Sequence, residues 1–407
     1  MSSTLLANHE RAAVGEIAGR PVVLHYGDAV AEHAALRTGA MLVDRSYRGR
    51  MRVSGAPAAE MVTGLVTNDV KALQVGQGQY AAALTPKGKI IADVRVFAMG
   101  GAEAEGPVPE WLLVDAPPRA AAGWAELVRK YVNPRLAPFA DESESLRDVG
   151  VFGPQARHAV ERATGVGAGA LAALPPYAHV SAELDGALVT IARVPDLELE
   201  GFELFVPADA APGLWRRLAE AGATPGGLTA WEIARVEAGR PEWGIDIDDA
   251  TIPQEANFDD LHAISYTKGC YVGQETVARV HFRGHVNRHL RGLRFAPVGG
   301  RAGAADGAAP PELPPLGARL FDEGGRPMGD VRSAVLSPRF GPIAIGMVRR
   351  EVALGDSVAV RWGADVDPAA DAAPPGGDGR PEGDGGADGA TPAGETRATV
   401  VALPFGR

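Results

Sequence analysis

Near residue 290 the texture of this 407-residue sequence changes, and the change limits what the chain can fold into. Up to that point helix and strand signals are mixed. Beyond it come short β-like runs (LRGLRF, ARLFDE, AIGMVR, SVAVRW, RATVVALPF) separated by linkers rich in Gly and Pro. Runs this short cannot bury a face alone, so they predict a small closed sheet, a barrel or sandwich, at the C-terminal end. In the earlier part Asp28 is placed to cap a helix AVAEHAALRT that Gly39 ends. RMRVS alternates as a strand, and Pro57 opens a helix. Tyr80–Leu84 and Ile90–Phe97 flank the turn TPKGK as a hairpin. WLLVD and Phe202–Pro207 read as strands, and Pro118–Val132, Pro154–Ala163 and Leu214–Ala221 as helices. Thr229 and Glu232 have capping-box spacing before a helix that stops at Gly239. VARVHFRGH reads as a strand running into a loop. The mixture predicts the α+β class.

Length points to more than one core, since a single one rarely grows past about 250–300 residues. Cys270 is the only cysteine, which excludes an internal disulfide and a Cys-rich metal or cluster site within one chain. No run approaches the roughly 18 apolar residues of a membrane span. The first twenty residues carry Glu10, Arg11, Glu16 and Arg20 with no apolar stretch, so a cytoplasmic protein is expected. The formal charge of −11 is unevenly placed. Residues 364–395 hold eight acids against Arg380, a net −7, with no aromatic and one branched aliphatic residue, and are expected to be disordered. Dinucleotide, P-loop, zincin and α/β-hydrolase signatures are absent.

The opposite asymmetry lies between Leu261 and Ala296, where Lys268 and five arginines face one acid, Glu275, alongside four of the nine histidines. Such a stretch is either a solvated face or a site for an anion, direct tRNA contact included. His281, His285 and His289 have helical spacing, but Gly284 interrupts them and no metal is expected. The densest run, Lys268-Gly269-Cys270-Tyr271-Val272-Gly273-Gln274-Glu275, sets a thiol between two glycines, where the chain can bend and offer it to solvent. Nearby Lys268 and Arg279 would favour the thiolate. The alternative is a small buried hydrophobe.

KGCYVGQETVARVHFRG resembles the signature of the YgfZ group, folate-binding-like proteins linked to iron–sulfur cluster assembly or repair and similar in fold to the glycine cleavage aminomethyltransferase. RTGAMLVDRSYRGRMRVSG, LVTNDV and LTPKGKIIADVRVF extend the resemblance from about residue 22 onward. It implies three lobes around a central channel: residues 1–140 as an N-terminal α+β folate-binding-like lobe, 141–285 as a central lobe with the cysteine motif, and 286–407 as the barrel. By the same resemblance Glu237 in ARVEAGR and Glu203 in GFEL would contact a pterin, with Arg235, Tyr271 and Gln274 completing a set for tetrahydrofolate or a derivative. Asp93 matches a position next to or within the transferase's paired aspartates, with Ala92 at the other. Cys270 and Lys268 would be the functional motif. The implied role is an accessory protein for iron–sulfur enzymes such as tRNA methylthiotransferases, with client or assembly proteins as partners and not a classical enzyme. The alternative is a tetrahydrofolate-dependent aminomethyltransferase or demethylase.

Overall fold

The computed structural model describes residues 12–100, 108–295, 313–363 and 394–406. The expected disordered insertion therefore lies, apart from its last two residues, outside the described residues. Two compact units emerge, Met1–Val286 and Asn287–Arg407.

The first unit is built on two large sheets, beside a two-stranded hairpin of Ala13–Ile17 and Arg20–His25. One has five strands in the order Gly78–Leu84, Ile90–Met99, Trp111–Ala116, Gly49–Ser54, Phe139–Asp141. The other has six, in the order His179–Leu184, Ala187–Arg193, Gly201–Pro207, Leu146–Phe152, Met41–Asp44, Thr224–Pro225. Strand alternation divides each sheet into two chemistries. In Ile90–Met99 the side chains of Ala92, Val94, Val96 and Ala98 join an apolar core with Val53, Leu112, Val114 and Trp124. Helix Ala121–Tyr131 supplies Trp124, Leu127 and Val128 to that core. Asp93, Arg95 and Phe97 therefore point to the other face. The second sheet divides likewise: Val149, Val151, Phe202, Leu204 and Val206 pack under helices Ala156–Thr164 and Ala211–Glu220, leaving Asp148, Glu203 and Phe205 on the opposite side. The two remaining faces meet. Phe97 and Phe205 are edge to face with centroids 5.4 Å apart, and Arg95 reaches Glu203 at 2.7 Å. A charged layer is thus enclosed between two sheets, each with an apolar core behind it.

Local signals in this unit follow the sequence closely. Asp28 caps helix Ala29–Thr38 by accepting from Val30 N and Ala31 N at 2.9 and 3.2 Å. The hairpin turn closes through Thr85 N to Lys89 O at 2.8 Å. Two expectations fail. Helix Leu228–Glu237 starts one residue before Thr229, with Gly227 at its N-cap and no side-chain cap. Glu232 turns instead to Arg235, at 2.8 Å, because a buried guanidinium competes better for the carboxylate than a backbone N–H does. The segment VARVHFRGH is not a strand. It lies in helix Gln274–Arg283, preceded by Gly273 at φ +81° and ended by Gly284. One buried residue, Val277, anchors this helix, so packing overrides the β-preference of its valines.

The second unit is a closed six-stranded barrel: Arg288–Phe295, Gly341–Arg349, Pro327–Ser337, Arg319–Phe321, Ser357–Trp362 and Gly394–Val401, the last pairing back to the first. Closure removes the unpaired edges that short strands would otherwise expose. The sequence reading missed the longest strand, Pro327–Ser337, whose register shifts between Val331 and Ser333 and whose Gly329 adopts φ +141°. A bulge hides the period-2 alternation by which a strand is read.

Candidate functional site

The enclosed charged layer is assembled by register. Arg95 and Asp115 are direct cross-strand partners, and Tyr80 sits opposite Arg95 on the other side. Arg95, 1% exposed, reaches Asp115 at 2.5 Å, Glu203 at 2.7 Å and Asp196 at 3.3 Å. Arg48 donates from Nε to Asp115 at 2.8 Å, and its Nη2 lies 2.7 Å from the same oxygen. Arg45 pairs with Glu203 at 3.2 Å while its guanidinium lies 3.7 Å over the Trp231 ring. The last wall comes from helix Leu228–Glu237 and the turn after it. Arg235 is held by Asp246 at 2.5 Å and by Arg240 O at 2.7 Å. Arg240 lies 4.0 Å over the Tyr80 ring and meets Tyr177 Oη at 3.1 Å.

These side chains surround a small cavity of about 30 Å³, whose lining includes Arg48, Tyr80, Asp93, Arg240 and Glu242. Asp93 is its distinctive acid. Tyr80 donates its hydroxyl proton to Asp93 Oδ2 at 2.8 Å, whereas Oδ1 is buried with no hydrogen-bond partner among the described residues. Burial pushes the Asp93 carboxyl above the ordinary carboxylate range, against the pull of Tyr80, Arg48 and Arg240. Glu242 is raised as well, first by burial and then by repulsion from Glu232. Asp115 goes the other way, because Arg48 and Arg95 outweigh the cost of its burial. Environment thus pushes the acids of one site in opposite directions, Asp93 and Glu242 upward and Asp115 downward.

The sequence-derived candidates fall into three places. Asp93, Glu203 and Arg235 belong to the charged layer, although Glu203 is spent on Arg45 and Arg95. Glu237 does not line the cavity. It pairs with His33 of helix Ala29–Thr38 at 3.2 Å, both side chains 2% exposed. Cys270, Lys268, Tyr271 and Gln274 form a separate element, in which Lys268 and Tyr271 are buried. Cys270 is exposed, at the rim of a groove it shares with Thr63, Gly64, Asp69 and Lys71. Lys268 does not approach it as a thiolate partner. Its Nζ donates to three backbone carbonyls, Thr63, Val66 and Asn68, at 2.5, 2.7 and 2.8 Å, and lies 4.7 Å over the Tyr271 ring. Burial pulls the ammonium down to about 8, against the attraction of Asp69. Gly273 is required, since a Cβ there would meet Thr85 O at 2.6 Å, whereas Gly269 faces open space.

The residues of the basic stretch fall on different elements of the two units. Lys268 is buried, Arg279 and Arg283 lie on helix Gln274–Arg283, and Arg288, Arg291 and Arg294 belong to a barrel strand of the other unit. His281 stacks on Tyr266 at 3.6 Å, while His289 sits in that same barrel strand. Among the described residues no group of three His, Cys, Asp or Glu side chains could hold a metal ion. Nor, among them, is any helix long and apolar enough to cross a membrane.

Sequence reasoning missed Arg45, Arg48, Tyr80, Arg95, Asp115, Asp196, Arg240 and Glu242. Their signal was present. Arg95 in VRVFA, Asp115 in WLLVDA and Glu203 in GFELFV each interrupt an otherwise apolar strand, and a charge there must find a counter-charge inside.

Fold and site together define a class: an α+β body enclosing an arginine–carboxylate cavity between two sheets, followed by a separate closed six-stranded barrel. Residues 6–265 match the family described as GCVT N-terminal domain, and the chain belongs to that family. It is 32% identical over 347 residues to the aminomethyltransferase of Rubrobacter xylanophilus, covering 85% of this chain and 86% of the relative. It is 30% identical over 345 residues to that of Saccharopolyspora erythraea, covering 83% and 86%. Among solved structures, the glycine cleavage system aminomethyltransferase T from Bartonella henselae superposes with a TM-score of 0.73 at 22% identity, over 97% of this chain and 94% of that one, a likeness of fold.

Proposed function

We propose that this protein is a tetrahydrofolate-dependent one-carbon transferase acting on an aminomethyl or N-methylamine donor, with Asp93 at the reacting centre. The observation that carries this reading is the buried Asp93 carboxyl on the cavity wall, with one oxygen fixed by Tyr80 and the other without a hydrogen-bond partner among the described residues. A carboxyl so placed can accept an amine N–H and exchange its proton with it. Its raised pKa brings that exchange closer to neutral pH. Tyr80 sets the orientation, because its hydrogen bond fixes which oxygen faces the donor.

The residues fit the head group of the proposed cofactor in donor and acceptor kind. The orphaned Asp93 Oδ1 accepts N–H, Arg48 and Arg240 can donate to a carbonyl, and Glu242 adds a second carboxyl. The Trp231 and Tyr80 rings already carry the guanidinium planes of Arg45 and Arg240, so a flat ring would lie against those planes. Tetrahydrofolate, when bound, would supply the nitrogens that accept the one-carbon unit. Glu237, engaged with His33, is not in this set.

The test is tetrahydrofolate-dependent turnover of aminomethyl and methylamine donors by wild type and Asp93→Asn. Transfer reduced 10²–10⁴-fold in the variant, the range for loss of a general acid–base group, supports the proposal. Equal turnover by both proteins refutes it.

A second reading rests on a different observation, the exposure of Cys270 in the KGCYVGQE loop. In this reading the protein is an accessory of YgfZ type, offering that thiol to iron–sulfur client or assembly proteins and supporting tRNA modification indirectly. Restoration of iron–sulfur enzyme activity by Cys270→Ser, in cells lacking the protein, would remove it.

A further inference from the structure

Helix Gln274–Arg283 buries one residue, Val277, and helical spacing puts Arg279, Phe282 and Arg283 together on the face turned away from it. All three are exposed, Phe282 by 67%. The Phe282 ring is the end of a stack rather than a stray apolar group. It meets His281 edge to face with centroids 4.7 Å apart, and His281 lies nearly parallel on Tyr266 at 3.6 Å. Tyr266 is fixed in turn, donating its hydroxyl to Asp259 Oδ1 at 2.6 Å. The cations beside this ledge are uncommitted. Among the described residues no hydrogen bond, ion pair or ring contact engages the side chain of Arg279 or Arg283, although Glu275 stands at helical spacing from Arg279. The helix dipole favours a cation in the last turn and so explains Arg283. It explains neither Arg279 nor a phenylalanine left in water next to both.

An exposed ring flanked by two unpaired guanidinium groups fits a ligand in which flat bases alternate with anionic phosphates. We infer that this ledge binds single-stranded nucleic acid, with a base stacked on Phe282 and neighbouring phosphates on Arg279 and Arg283. A duplex keeps its bases stacked on one another and offers the ledge phosphate alone. Polyphosphate and an anionic membrane supply charge but no flat ring. None of the ledge residues lines the Asp93 cavity, so the inference stands independently of the proposed transfer reaction.

The experiment is fluorescence anisotropy of the full chain with labelled oligouridylate and oligothymidylate of about ten nucleotides, over a series of salt concentrations. The variants are Phe282→Ala, Phe282→Tyr, Arg279→Gln and Arg283→Gln, all at exposed positions where folding is not at stake. Arg129→Gln, an exposed arginine on helix Ala121–Tyr131, is the control for general charge. Loss of the stacking ring in Phe282→Ala should weaken binding at least about fivefold while leaving the salt dependence unchanged. Phe282→Tyr keeps a ring and should bind as wild type. Arg279→Gln and Arg283→Gln should each reduce the slope of log affinity against log salt by about 0.7, the value for one phosphate contact on a single strand. Arg129→Gln should leave it unchanged.

Competition separates the possible sources of anionic charge. A duplex of the same length, inorganic polyphosphate and phosphatidylserine vesicles should each displace the labelled strand less well than the unlabelled strand does. Displacement by any of them as effective as by the strand itself overturns the inference, because charge alone would then account for binding. So does the absence of saturable binding at low salt, equal affinity of Phe282→Ala and wild type, or arginine variants that change the salt slope no more than Arg129→Gln.

Discussion

Replacing Lys268 by Met tests whether this residue serves the thiol or the fold. Lys268 is 9% exposed, and its ammonium donates to the carbonyls of Thr63, Val66 and Asn68. Those oxygens belong to the end of helix Ala58–Thr63 and the loop after it, so one side chain ties residues 63–68 to the cysteine loop across some 200 positions of sequence. A hydrogen bond from a charged donor contributes about 1.5–3 kcal/mol singly, but the three share one charge and are not additive. Removing the ammonium also removes the cost of burying it, which offsets part of the loss. The net expectation is destabilisation of about 2–4 kcal/mol, read as a lower denaturation midpoint at an unchanged slope. Lys71→Met is the control. That side chain is 64% exposed and 3.7 Å from Glu60, a surface pair worth at most about 1 kcal/mol. Loss of the anchor should also speed modification of Cys270 by an aromatic disulfide. A Lys268→Met protein within about 0.5 kcal/mol of wild type, as for an ordinary surface change, would refute the reasoning.

Three further outcomes follow from the same contacts. Cys270→Ser should leave stability within about 0.5 kcal/mol, because the thiol is exposed, and native protein should show one thiol reacting without denaturant. Arg95→Met takes one arginine partner from each of the buried acids Asp115, Glu203 and Asp196 and should cost about 3–5 kcal/mol by urea titration. Asp115 has a folded pKa below its unfolded value, so its contribution is complete above the unfolded pKa and fades as pH falls through the folded one; the Arg95→Met deficit should shrink in acid.

Asp148 has the opposite sign. Burial and the nearby Glu203 and Asp115 raise its carboxyl, and neither of its side-chain oxygens has a hydrogen-bond partner among the described residues. The folded state then holds a proton that the unfolded chain releases, so stability falls as pH rises from the unfolded to the folded pKa. Asp148→Asn should match wild type in acid and exceed it at neutral pH. A variant less stable at every pH would show that the carboxylate is satisfied in a way these contacts do not contain.

The amino-acid sequence by itself determined what depends on neighbours along the chain. Asp28 capping a helix, the proline–glycine turn between Leu84 and Ile90, the exposed glycine-hinged Cys270 and the short runs of the terminal barrel were all legible there, because caps, turns and alternation act over a few residues. Tertiary structure decided where charges went. Lys268 and Glu237 looked like chemistry and proved to be held by Thr63–Asn68 carbonyls and by His33, while Arg48 and Arg240, unremarked in sequence, came to face Asp93. The physical reason is that the partner of a buried charge lies far away in sequence, 20 residues for Arg95 and Asp115 and 158 for Arg45 and Glu203. Only the folded sheets bring such groups within reach of each other.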